Sequence, residues 1–295
     1  MRQILENLYL IVATYLTHVA TNNFIWEVVL LGVYNVQVYD YDGFTQFRIY
    51  NRPIEYEHER VVSDDAVILP DDVKKERSER VSLNRTKQSI YELAYNNKWD
   101  WFITFTFSDP VDRYLYDVCT KRVRKWLNHL KDRKCPNLKY LIVPEQHKDG
   151  AWHIHGLLAN CDGMEMEDSG RVSMYKKAYV RTADNAMHPW IYNVSGWKYG
   201  FSTAIPIGSA PEDNAKMCSY MCKYITKELC TGLKNKRRFF ASKNCKKVEK
   251  ENYNWATDDI ENMINEFYEQ GLVDYDKTQK IECAGQIVRY VTIKK

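Results

Sequence analysis

Residues 138–159, LKYLIVPEQHKDGAWHIHGLLA, leave little choice of local fold. Two apolar strand-like runs flank Lys148-Asp149-Gly150. A loop of that kind, with glycine in the left-handed position, closes an antiparallel hairpin. Side chains two apart in a strand share a face. His153 and His155 therefore project together, while Trp152, Ile154 and Leu158 point the other way. The Lys148-Asp149-Gly150 loop pairs His147 with Ala151 and Glu145 with His153, putting Glu145 on the histidine face. A tighter Asp149-Gly150 turn sets Gln146 opposite His153 instead. Two imidazoles so placed suit one divalent metal, and they equally suit two hydrogen-bonded rings without an ion. Glu145 is the third ligand in the first register, and His147 is its rival. Two imidazoles and a carboxylate with open positions suit Mg²⁺ or Mn²⁺ as a Lewis acid, with zinc a further option.

The same hairpin logic applies near the start of the chain. VYNVQVYDYDGFTQFRIY alternates on both sides of Asp42-Gly43. Residues 59–88 are charged and without period, and read as a linker entering a helix over 83–97. WFITFTF (101–107) is a strand in which large residues alternate with threonines. In 112–134, Leu115, Val118, Val123, Trp126, Leu127 and Leu130 form one helical stripe. WKYGFSTAIPI is a further strand, and PEDNAKMCSYMCKYITKELC a helix opening on proline and acids. KRRFFASKN follows as a short basic strand or loop, and a helix near 257–269 stands among the last strands.

Strand, helix, hairpin, strand and helix in that order predict an α+β fold. A mainly antiparallel central sheet carries the His-x-His strand and is covered by helices. The expected segments are an N-terminal extension (1–31), a hairpin with linker and helix (32–98), a central domain (99–245) and a C-terminal α/β extension (246–295).

In SYMCKYITK, Tyr220 and Tyr224 are four apart and share a helical face, each followed three residues later by a lysine, Lys223 and Lys227. A tyrosine near pKa 10 is a poor nucleophile unless a metal or a cation stabilises its phenolate. The bland alternative is packing on an amphipathic helix, in a chain with 22 tyrosines.

Composition narrows the class by exclusion. The eight cysteines form no C-x-x-C pair, which argues against a zinc ribbon or a secreted disulfide framework and fits a reducing cytoplasm. The apolar patches of residues 1–31 are broken by Thr17, His18, Asn22, Asn23 and Glu27, so no run has the length of a membrane span. No phosphate-binding G-x-x-x-x-G-K-[ST] loop is present, which removes an ATPase module. A formal net charge of +3 neither requires nor forbids nucleic acid.

In order, FITFTF, then HIHGLL, then YMCKYITK resemble the three motifs of HUH endonucleases, specifically rolling-circle replication initiators of plasmids and small phages, over roughly residues 100–245. The resemblance implies a nickase that cuts single-stranded or hairpin origin DNA at a specific site in a bacterial cytoplasm, alongside the host replication machinery and without a membrane. It implies that His153, His155 and Glu145 hold Mg²⁺ or Mn²⁺ against the scissile phosphate. Tyr220 is then the first nucleophile, forming a 5′-phosphotyrosine, with Tyr224 the second and Lys223 contacting the phosphate or tuning the phenolates. Arg122, Lys125, Lys227, Arg237 and Arg238 become candidates for DNA phosphates. A relaxase or tyrosine transposase shares this chemistry. A non-catalytic single-strand-binding module, with tyrosines stacking on bases, is the contrasting class.

Overall fold

The computed structural model describes residues 33–55, 71–110, 112–174, 177–208, 211–223, 236–281 and 285–295. The N-terminal extension read over 1–31 and the linker up to residue 70 lie outside the described residues. The chain divides into two compact units, and each is α+β with antiparallel strand pairing.

The smaller unit joins the two ends of the sequence. Strands β1 (Val33–Asp40) and β2 (Phe44–Glu55) form the expected hairpin about Asp42-Gly43. They pair with β11 (Glu249–Tyr253), β12 (Val273–Ile281) and β13 (Gln286–Lys294) in the order β11-β1-β2-β13-β12. Helix α4 (Thr257–Glu269) inserts Ile260, Met263, Ile264 and Phe267 against Val36, Phe47, Val291 and Ile293. The hairpin thus belongs with the C-terminal segment rather than with the helix that follows it, because β2 finds its second edge partner in β13.

The larger unit is built on an eight-stranded sheet, ordered β10-β4-β5-β3-β9-β8-β6-β7. Its members are β3 (Trp101–Thr106), β4 (Lys139–Gln146), β5 (Trp152–Ala159), β6 (Met166–Met174), β7 (Lys177–Val180), β8 (Trp190–Val194), β9 (Ser202–Pro206) and β10 (Phe240–Ala241). Strand β5 lies between β4 and β3 and is buried nearly end to end. Its Gly156 faces Ile142 and Ile103 so closely that an added Cβ meets their side chains at 2.6 and 2.9 Å.

Side-chain alternation decides which helix covers which face. Phe105 of β3 packs edge-on to Trp126 of α2 (Tyr116–Arg133) and stacks at 4.0 Å on Trp197, so α2 covers the face of the odd β3 residues. Phe102 points the other way and meets Tyr220 of α3 (Pro211–Lys223) at 5.3 Å. Helix α3 is braced by α1 (Asp71–Tyr95): Cys218 Sγ donates to Ala94 O at 3.1 Å and Tyr95 Oη to Ala215 O at 3.3 Å. Helix α1 begins at Asp71, twelve residues ahead of the expected start at 83. Its first turns are exposed and unpatterned, but their Lys, Glu and Arg residues favour helix, and no Gly or Pro interrupts them. Cys119, Cys135, Cys161 and Cys218 are free and buried, and burial pushes the Cys119 and Cys161 thiols up to about 12, consistent with core residues. Among the described residues, no helix is long and apolar enough to cross a membrane.

Candidate active site

The β4–β5 turn settles the register. His147 N donates to Ala151 O and Gly150 N to His147 O, both at 2.8 Å, with Gly150 at φ +88°. Glu145 is therefore the cross-strand partner of His153, as the Lys148-Asp149-Gly150 loop requires. On the other flank, Thr104 and Thr106 of β3 stand opposite His155 and His153. One sheet face thus carries Phe102, Thr104, Thr106, Glu145, His153 and His155 around two adjacent ladders.

His155 is the more enclosed histidine, only 5% exposed. Its Nε2 lies 2.8 Å from Glu145 Oε2, and its Nδ1 lies 3.2 Å from Thr104 Oγ1. Phe102 stacks against the same ring at 6.1 Å between centroids. His153 is half-buried and its ring stacks on His147 at 5.1 Å. His147 in turn is exposed, with Nδ1 3.4 Å from Asp149 Oδ1.

Burial pushes both imidazoles of the His-x-His strand below their ordinary pKa. At His153 the neighbouring His155 and His147 add to that shift, while at His155 the Glu145 carboxylate opposes it. Both rings are accordingly neutral at neutral pH, and a neutral ring has a lone pair to offer a metal.

The donors fit a hard divalent cation in kind, since two neutral imidazoles and a carboxylate share one face. In arrangement they are not gathered into a cage: Glu145 is joined directly to His155, and His153 turns to His147. Among the described residues, no group of three or more His, Cys, Asp or Glu side chains is placed to hold a metal ion.

Tyr220 sits on the helix that covers this face, half-buried, with Phe102 touching both it and His155. Tyr224, Lys227 and the Lys223 side chain lie outside the described residues. The basic candidates fall elsewhere. Arg122 is ion-paired with Asp112 and lies 5.0 Å over Tyr199. Arg238 donates to Ser82 Oγ at 2.8 Å and Thr86 Oγ1 at 3.2 Å, fastening the chain after α3 to α1. Lys125 and Arg237 are exposed, and the Arg237 carbonyl accepts a hydrogen bond from the Tyr116 hydroxyl. Arg122 and Lys125 belong to α2, which covers the sheet face opposite the histidines.

Sequence reasoning passed over Thr104 and Phe102. The alternation of FITFTF held the signal, because a strand beside His-x-His must present alternate residues to the histidine face.

Residues 100–229, a little under half of the chain, match the family model for the replication-associated protein ORF2. The match supports a replication initiator. It spans β3 to beyond the described end of α3, and so includes both histidines, Glu145 and Tyr220. Neither the search of curated proteins nor that of solved structures returned a match.

Proposed function

We propose that this replication-initiator chain is a metal-dependent nickase and ligase of single-stranded DNA that works through a 5′-phosphotyrosine. The observation that carries the reading is the shared face: His153, His155 and Glu145 lie on the side of the sheet covered by the Tyr220 helix. The span of the family match, which encloses all four residues, supports it further.

His153, His155 and Glu145 would hold Mg²⁺ or Mn²⁺, which supplies Lewis-acid polarisation of the scissile phosphate. Tyr220 Oη attacks the phosphorus, the bond from phosphorus to the 3′ oxygen breaks, and that oxygen takes up a proton to become the priming 3′-hydroxyl. Resealing runs the same exchange in reverse, with a 3′-hydroxyl displacing the tyrosine. Phe102 fixes the ring of Tyr220 on one side and that of His155 on the other. Exposed Lys125 and Arg237 are free to meet phosphates more readily than Arg122 and Arg238, which already serve protein partners.

The test is incubation of the whole protein with Mn²⁺ and labelled single-stranded origin DNA, followed by denaturing electrophoresis. A covalent protein–DNA adduct is expected, lost in Tyr220→Phe combined with Tyr224→Phe. His153→Ala should abolish cleavage while leaving much of the DNA binding. An adduct that survives the double tyrosine change sinks the mechanism. Binding with no adduct on any candidate origin favours the single-strand-binding module instead.

A further inference from the structure

Both ring nitrogens of His155 are engaged, Nε2 with Glu145 at 2.8 Å and Nδ1 with Thr104 Oγ1 at 3.2 Å. Thr104 is the direct cross-strand partner of His155, so the contact is built into the β3–β5 register. A neutral imidazole has one N–H and one lone pair. The Glu145 carboxylate only accepts, so in the protein alone the hydrogen sits on Nε2, and Nδ1 accepts from the threonine hydroxyl. For Nε2 to turn its lone pair to a cation, the hydrogen must be on Nδ1, and Nδ1–H then needs an acceptor. A carbonyl serves only the second state and an amide N–H only the first. A hydroxyl serves both, because it donates and accepts.

We propose that Thr104 is the positioning residue of His155, holding the ring in one orientation through both tautomers so that Nε2 always faces Glu145. Between the two states a hydrogen leaves Nε2 for solvent and another is taken up at Nδ1. The ring stays neutral, and no net charge is added to a nearly buried side chain. The second tautomer rests on the metal reading above, whereas the first belongs to the protein alone. Partners that orient the free nitrogen of a liganding histidine commonly govern metal affinity by about 10–100-fold.

The test uses the full-length chain and its Thr104→Val and Thr104→Ser variants. Valine keeps the branched shape and removes the hydroxyl, and serine restores the hydroxyl alone. In the metal-free protein, long-range proton–nitrogen correlation of the histidine rings should show Nε2–H at His155. The Nδ1 resonance should move in Thr104→Val and return in Thr104→Ser. Mn²⁺ affinity, followed by electron paramagnetic resonance of the free ion, should fall about 10–100-fold in Thr104→Val and recover to within about three-fold of wild type in Thr104→Ser. An unmoved Nδ1 resonance in a folded Thr104→Val protein overturns the proposal, as does undiminished Mn²⁺ affinity. If the wild-type protein itself takes up no Mn²⁺, the metal reading fails, and the Nδ1 resonance still decides the role of Thr104.

Discussion

Glu145 stands opposite His153 in the β4–β5 ladder, yet its carboxylate reaches diagonally to His155 Nε2, 2.8 Å away. Diagonal neighbours in a twisted antiparallel pair are within reach of a long side chain. The consequence is that Glu145 holds the more buried histidine while remaining on the face of the other. Glu145→Gln keeps an oxygen that accepts from Nε2–H and removes the negative charge. Mn²⁺ affinity and adduct yield should both drop at least about 10-fold, while circular dichroism and melting stay near wild type. Equal metal affinity in wild type and Glu145→Gln would remove Glu145 from the site.

Tyr220→Phe deletes one hydroxyl and retains the ring that packs on Phe102. If Tyr220 is the first nucleophile, the covalent adduct falls by at least about a thousand-fold, the scale on which removal of a nucleophile acts. Single-stranded DNA binding, measured by fluorescence anisotropy, should change by no more than a few fold. A Tyr220→Phe protein that still forms adduct at the wild-type rate hands the first step to Tyr224.

What could be read in advance was whatever the chain encodes locally. The β4–β5 hairpin followed from its alternation and from Lys148-Asp149-Gly150, and the Cys119, Val123, Trp126, Leu127 and Leu130 side of α2 is buried where helical period puts an apolar stripe. The β6–β7–β8 meander was not legible, since β7 is exposed at every residue and carries no alternation of burial. It exists because β6 pairs with β8 and β7 together. The union of β2 with β13 was hidden for the same reason: strand partners far apart in sequence leave no mark in either segment's own period. At the site, the shared face of the histidines was readable from spacing, but the choice of Glu145 for His155 depends on side-chain reach, which spacing does not encode.

Gly200 tests how the end of β3 is held. It lies at φ +149°, and an added Cβ would stand 2.2 Å from Thr106 O and 2.7 Å from Ser108 N. The obstacle is backbone, fixed by the bonds Thr106 N to Phe201 O at 2.9 Å and Ser108 N to Tyr199 O at 3.0 Å. A side chain there cannot be accommodated by a rotamer change. Gly200→Ala should destabilise the larger unit by at least about 3 kcal/mol, combining dihedral strain with a backbone clash. Urea denaturation followed by tryptophan emission reads this, since Trp197 and Trp126 are in the core of that unit. Thr106 stands opposite His153, so adduct formation should fall along with stability. A melting point unchanged in Gly200→Ala contradicts the close passage of these two segments.

The smaller unit has its own acid-sensitive fastening. Arg289 of β13 donates through Nη2 to Asp276 Oδ2 of β12 at 2.8 Å and through Nη1 to Glu261 of α4 at 3.1 Å. Tyr268 adds a hydrogen bond to the same Asp276 oxygen at 2.8 Å. The Arg289 guanidinium holds the Asp276 carboxyl below its ordinary value, outweighing the opposing effect of burial, and Tyr268 assists. A carboxylate with a depressed folded pKa binds fewer protons folded than unfolded. Its stabilisation is therefore complete above the unfolded value, about 3.9, and is lost as pH falls through the lower folded value. Hydrogen exchange of the β12 and β13 amides should accelerate below about pH 4 in the wild type. Asp276→Asn should flatten that dependence and cost about 1 kcal/mol at neutral pH, where the paired carboxylate contributes most. A wild-type exchange profile that is flat between pH 5 and about pH 3 would show that Arg289 does not tie β12 to α4 through charge.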